Sequence, residues 1–153
     1  MRNSSCDFDE KQLIDRGKAY QTSFFVSVAT LGTLFLVTDL FEVPITRIAL
    51  FMLALWIPIT VCLVLLIFSD TYRGVHTPSW KANVISLAMG LDGMALITLI
   101  VIDMVGGGTG PIENGGLTNA TGYLVCGACL VVIGVTYWVK QHSDKRMLGD
   151  END

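Results

Sequence analysis

The residue most able to do chemistry lies inside an apolar segment. Asp92 is near the middle of the run from Asn83 to Val105, which is otherwise almost entirely apolar. A charged carboxylate at the centre of a bilayer costs about 2.5–3.5 kcal/mol on insertion scales. Desolvation disfavours the charged form, so we expect Asp92 to be neutral much of the time and able to donate a hydrogen bond.

Hydroxyl groups at a similar predicted depth are candidate partners for this carboxyl group. Ser27 and Thr30 belong to one polar stripe of the first apolar segment, and Thr60 lies in the second. Such stripes usually face other helices, where they form interhelical hydrogen bonds. The sequence therefore predicts an intramembrane polar site made of Asp92, Ser27, Thr30 and Thr60.

Three interpretations of Asp92 remain open. Asp103 follows it by three helical turns, near Asp39 and Glu42 at the predicted outer surface. An acidic entrance above a buried acid is typical of a proton- or cation-coupled path. In the second interpretation, Asp92 only holds helices or protomers together. In the third, it is a polar residue near the lipid edge of a span whose bounds are wrongly placed.

Other reactive residues give weaker signals. Cys126 and Cys129 form a C-x-x-C pattern, but without the strand-and-helix context of a redox fold, and buried thiols usually behave as small hydrophobes. The two histidines, His76 and His142, lie in predicted cytoplasmic segments, too few for a metal site. We expect no enzymatic activity, no metal or other cofactor, and no nucleic-acid partner.

Four long apolar runs must position these residues. Each is close to the roughly 17–25 residues that a helix needs to cross a bilayer. The fold class predicted is all-α: an integral membrane four-helix up-down bundle. It forms a single transmembrane domain over 22–139, between an N-terminal segment (1–21) and a tail (140–153), with spans at about 22–38, 47–68, 83–105 and 119–139.

Lysine and arginine residues predict the orientation of these spans. Nine of the ten fall on one side of the predicted membrane: Arg2, Lys11, Arg16, Lys18, Arg73, Lys81, Lys140, Lys145 and Arg146. Only Arg47 falls on the other side. By the positive-inside rule, both termini are expected to be cytoplasmic.

Small residues and glycines also predict local structure. Ser86, Gly90 and Gly93 form a small-residue patch on the third span, and Gly127 and Gly134 form one on the fourth. Patches of this kind usually allow close helix packing. The glycine-rich loop from 106 to 122 is expected to be flexible and without regular structure.

The N-terminal segment predicts a short juxtamembrane helix that starts near Asp7. Leu13, Gly17, Tyr20 and Phe24 recur on one face of this helix. This face is either an anchor at the membrane surface or a docking face for a partner protein. The candidate docking residues are Leu13, Gly17 and Tyr20.

The same segment carries a resemblance. Asp9-Glu10-Lys11-Gln12 and Arg16-Gly17-Lys18-Ala19-Tyr20, ahead of a phenylalanine-rich span, resemble a group of small uncharacterised bacterial four-span membrane proteins. The resemblance covers some 15 residues and implies a bacterial cytoplasmic membrane, but no activity. The charged N-terminal helix, the short soluble segments and the lack of catalytic residues favour an accessory or interaction protein that sits in the lipid bilayer and binds another membrane protein or a cytoplasmic regulator. The alternative function is a small proton- or cation-coupled transporter using Asp92. A second copy of the chain is a further candidate partner, in a homo-oligomer.

Overall fold

The computed structural model describes residues 10–69 and 79–149 of the chain. Four helices, each long and apolar enough to cross a membrane, account for most of them. The predicted helix start at Asp7, Arg73 in the second loop and the tail residues 150–153 lie outside the described residues. The helices are α1 (Glu10–Asp39), α2 (Arg47–Phe68), α3 (Ser79–Val105) and α4 (Asn119–Gly149). The all-α prediction is confirmed.

The N-terminal helix is not a separate element. Residues 10 to 39 form one continuous helix, whereas the sequence predicted a short helix followed by a span. Gly17 does not break it, because a single glycine inside a helix costs only about 1 kcal/mol relative to alanine. At about 1.5 Å per residue, α1 is about 45 Å long, against about 30 Å for the hydrocarbon core.

Helix α2 has the bounds that its sequence predicted. Thr46 precedes it in an extended conformation and accepts a hydrogen bond from the backbone N–H of Ala49 at 3.4 Å, as an N-cap does. Pro58 lies buried inside the helix, and the helix continues through it to Phe68.

The packing order of the helices differs from their order in the chain. Helix α1 packs against α2, α2 also packs against α4, and α4 packs against α3. Two antiparallel hairpins are therefore joined through α2 and α4, and α1 and α3 are the outer members. The predicted pairing of sequential helices holds within each hairpin, but α2 and α3 are not each other's main partners.

The contact between α3 and α4 depends on small residues. The Ser86 hydroxyl donates a hydrogen bond to the carbonyl oxygen of Gly134 at 3.0 Å. A Cβ atom added to Gly93 would lie 2.6 Å from the carbonyl oxygen of Gly127, and one added to Gly134 would lie 3.0 Å from the Cα of Gly90. The two predicted small-residue patches thus pack against each other.

The buried core lies where α2, α3 and α4 come together. Ile67, Ile133 and Tyr137 form its centre, and the partly buried Leu63 and Met89 pack against them. Elsewhere most large apolar side chains point outward, which is expected for helices surrounded by lipid.

The glycine-rich loop contains regular structure that the sequence analysis did not predict. Strands β1 (Ile112–Glu113) and β2 (Gly116–Leu117) pair antiparallel across Asn114 and Gly115, which both have positive φ. This is the two-residue hairpin turn that Asn-Gly favours. The Asn114-Gly115 pair in the sequence indicates such a turn. The many glycines around it led instead to the expectation of a flexible loop.

This hairpin also binds the loop between α1 and α2. The Leu117 N–H donates to the Pro44 carbonyl oxygen at 2.8 Å, and the Thr46 N–H donates to the Leu117 carbonyl oxygen at 3.0 Å. We call this contact between residues 44–46 and Leu117 the loop clip. It joins the two helical hairpins at one end of the protein.

Gly116→Val is expected to open the loop clip, because a Cβ atom at Gly116 would overlap the Pro44 carbonyl oxygen. We expect a loss of about 1–2 kcal/mol of stability, in the range of ordinary steric substitutions. Thermal unfolding of the detergent-solubilised protein measures it. Gly110→Ala is the control, since its added Cβ would meet only Ile112 O at 3.8 Å. Equal melting temperatures for both variants would contradict a role of the clip in stability.

Candidate functional site

Two serine hydroxyls of the α1 stripe donate hydrogen bonds within their own helix. The Ser27 hydroxyl donates to the Ser23 carbonyl oxygen at 2.9 Å, and Ser23 donates to Ala19 at 2.8 Å. Ser23 is buried, and Ser27 and Thr30 are half-buried. Hydroxyls in a helix commonly make such bonds one turn back. Ser27 can still accept a hydrogen bond, but its own proton is already in use.

Thr60 on α2 follows the same pattern. Its hydroxyl donates to the Trp56 carbonyl oxygen at 2.7 Å, and the side chain is half-buried. The bond lies beside Pro58, whose missing N–H interrupts the helical hydrogen-bond ladder. Thr60 thus satisfies local backbone rather than a group on another helix.

Asp92 lies on an outward flank of α3. The next residue, Gly93, is buried against α4, and a rotation of about 100° per residue turns Asp92 away from that contact. The Asp92 side chain is exposed, and within residues 10–69 and 79–149 no hydrogen bond or ion pair reaches it. Asp103, three turns further along the same flank, is exposed as well.

The structure therefore does not bring the four predicted site residues together within one chain. Ser27 and Thr30 are on α1, which packs against α2, while Asp92 is on α3, which packs against α4. The expected hydrogen bond from Asp92 to the first or second span is not formed. The physical reason is the packing order: α1 and α3 are the outer helices, so their polar groups have no shared interior.

The candidate docking face of α1 is exposed. Leu13 is 47% exposed and Tyr20 is 52% exposed, and a Cβ atom at Gly17 would meet nothing within 4 Å. Ala19, which is rotated by about 100° from Tyr20 around the helix, is buried. The Arg16 guanidinium donates to the Tyr20 hydroxyl at 3.3 Å, which holds the ring along the helix.

A groove between α3 and α4 was not predicted. It has a volume of about 580 Å³ and is lined mainly by apolar side chains, among them Leu87, Leu91, Met94, Val135 and Trp138. The spacing of Leu87, Leu91 and Met94 was a signal for a shared face, but sequence alone does not reveal that α4 forms the other wall. The Trp138 ring stacks on His142, with ring centroids 5.7 Å apart.

The cysteines and charged residues form no recognisable reactive centre in the described part of the chain. Cys126 is buried and Cys129 half-buried, and both are free thiols. No group of three or more His, Cys, Asp or Glu side chains among residues 10–69 and 79–149 is placed to hold a metal ion.

No protein-family model, curated protein or solved structure matches this chain.

Proposed function

We propose that the protein is an accessory membrane protein. It binds another membrane protein or a cytoplasmic regulator through the face of α1 that carries Leu13, Gly17 and Tyr20. The proposal involves no catalytic step, no cofactor and no metal. It rests on one observation above others: an apolar face at the N-terminal end of α1 is uncovered.

The length of α1 supports this proposal. A helix of 30 residues exceeds the hydrocarbon core by about 15 Å, or about 10 residues. Helix α2, with 22 residues, is only about 33 Å long and cannot cover the whole of α1. The extra turns of α1 include Leu13 and Gly17. Apolar side chains spaced along one helix face are a common means of binding a groove in a partner protein.

We propose further that both termini are cytoplasmic and that the membrane is a bacterial cytoplasmic membrane. The nine-to-one distribution of lysine and arginine favours this orientation by the positive-inside rule. The bacterial membrane rests on the resemblance of the Asp9–Tyr20 segment alone. In this orientation the docking face of α1 lies on the cytoplasmic side, where both a membrane partner and a soluble regulator have access.

A proton- or cation-coupled transporter is the alternative, and the geometry supports it less. Transport through one chain would need Asp92 to line a polar path with other helices. Asp92 is instead exposed on α3, and the hydroxyls of Ser27 and Thr60 donate to their own helices.

The test is a gentle pull-down of tagged protein from native membranes, followed by mass spectrometry. The double variant Leu13→Glu/Tyr20→Ala is expected to reduce recovery of a specific partner about tenfold, the effect of losing a central anchor of an interface. Lys18→Ala is the matched control on the same turns, because Lys18 is exposed and its pair with Asp15, at 3.7 Å, contributes little.

Asp92→Asn separates this proposal from the transporter alternative. Partner recovery is expected to be unchanged by this substitution. Recovery that does not respond to the Leu13→Glu/Tyr20→Ala change would contradict the docking face. Proton flux into vesicles that wild type supports and Asp92→Asn abolishes, with assembly intact, would favour the transporter.

A further inference from the structure

The flank of α3 that carries Asp92 has a regular pattern. Ile85, Ala88, Asp92, Ala95 and Leu99 follow one another at spacings of three, four, three and four residues, and all five are exposed. This is the a/d spacing of a coiled-coil seam, in which two helices pack along a continuous stripe. Because α4 covers the opposite side of α3 around Gly93, the stripe is free to pack against a further helix.

The seam has one polar member, Asp92. Asp92 is the only charged residue among the five, and within the described residues nothing pairs with it. Leaving a carboxyl group against lipid at this depth is unfavourable. In coiled coils, a single polar residue at an a position lowers stability but fixes the register and the number of strands. Asp92 occupies such an a position, between the small residues Ala88 and Ala95.

We propose that a second copy of this chain covers the seam, so that two α3 helices pack in parallel about a two-fold axis and their Asp92 carboxyl groups hydrogen-bond to each other. Two carboxyl groups that hold at least one proton between them can hydrogen-bond to each other, because the protonated oxygen donates and an oxygen of the other group accepts. Two identical chains inserted with the same orientation place Asp92 at the same depth, as an isologous contact requires. Ala88 and Ala95 allow the two backbones to approach closely.

A second copy is favoured over an unrelated partner because its own α3 carries a carboxyl group at the same depth, between two alanines. A different protein would have to bring its own polar group to the depth of Asp92 and small residues to both sides of it. This dimer contact is on α3, whereas the docking face of the proposed function is on α1. Each can therefore fail without the other.

Cysteine cross-linking in native membranes tests the seam. In a chain whose four native cysteines are replaced by alanine, Ala88→Cys and Ala95→Cys are each expected to form a disulfide-linked dimer under mild oxidation. Leu87→Cys and Met94→Cys are the matched controls: they lie next to the seam positions and at the same depth, but line the groove flank of α3. We expect several-fold less dimer from them.

Substitutions of Asp92 test the carboxyl pair. In the Ala95→Cys background, Asp92→Asn is expected to retain the dimer, because an amide also has both donor and acceptor groups. Asp92→Leu is expected to reduce the cross-linked fraction roughly fivefold, the scale of interhelical hydrogen bonding in membranes. Gel-filtration profiles and helical content identify any variant that fails to fold.

Three results would overturn the proposal. The first is cross-linking at Leu87→Cys or Met94→Cys equal to that at the seam. The second is a cross-linked product at Ala95→Cys that contains a different protein. The third is a cross-linked fraction that Asp92→Leu leaves unchanged, or that Asp92→Asn abolishes in a folded protein.

Discussion

Gly93→Leu is expected to separate α3 from α4. The Cβ atom alone would lie 2.6 Å from the carbonyl oxygen of Gly127 and 2.9 Å from the Cβ of Leu130. Neither the backbone atom nor the Cβ is the flexible end of a side chain, so the helices themselves must move apart. Overpacking of this kind costs about 3 kcal/mol at the upper end of its usual range. The melting temperature of the solubilised protein should fall accordingly.

Gly90→Ala is the control for this prediction. It lies three residues earlier on the same helix, and a Cβ atom there would meet nothing within 4 Å. Replacing a helical glycine by alanine improves helix propensity by about 1 kcal/mol, so a small gain in stability is expected. A Gly93→Leu protein as stable as wild type would show that α3 and α4 do not pack closely at this point.

Tyr137→Ala is expected to destabilise the centre of the protein. Tyr137 is 6% exposed and packs in the cluster with Ile67 and Ile133, where α2 and α4 meet. Truncating a large buried side chain leaves a cavity, and costs about 3 kcal/mol or more in well-packed cores. Denaturant titration of the solubilised protein, followed by circular dichroism, measures the loss.

Trp138→Ala is the matched control, because it removes an equally large ring one residue later. Trp138 is 64% exposed, and stacks on His142 at the surface. We expect a loss below about 1 kcal/mol, as for ordinary surface substitutions. If Trp138→Ala destabilised the protein as much as Tyr137→Ala, α4 would have to be rotated relative to the described packing.

The sequence predicted the helices better than their arrangement. The segment from Arg47 to Phe68 has the predicted bounds because Thr46 caps its start and apolar residues fill its length. The small residues around Gly93 and Gly134 were correctly predicted to lie in close contacts. Nothing in their spacing reveals that they contact each other, since a small-residue patch fits any helix that approaches closely.

The candidate site was harder to predict for a related reason. The depth of Asp92 follows from counting residues, but its direction depends on which side of α3 meets α4. The sequence of a helix that is apolar on every side gives little indication of how the helix is rotated about its axis, because lipid and protein neighbours accept the same side chains. The exposed face of Leu13 and Tyr20 was easier to predict, since polar residues lie between them along the segment.

The packing order has a consequence for biosynthesis. A chain made from its N-terminus can pair α1 with α2 as soon as both have entered the membrane. Helix α3 enters next, but its main partner α4 is still to be synthesised. During that interval the glycine face of α3 lacks the α4 residues that cover it in the complete protein. Leu117 lies just before α4, so the loop clip between Leu117 and residues 44–46 can close only after the second helical hairpin has been made.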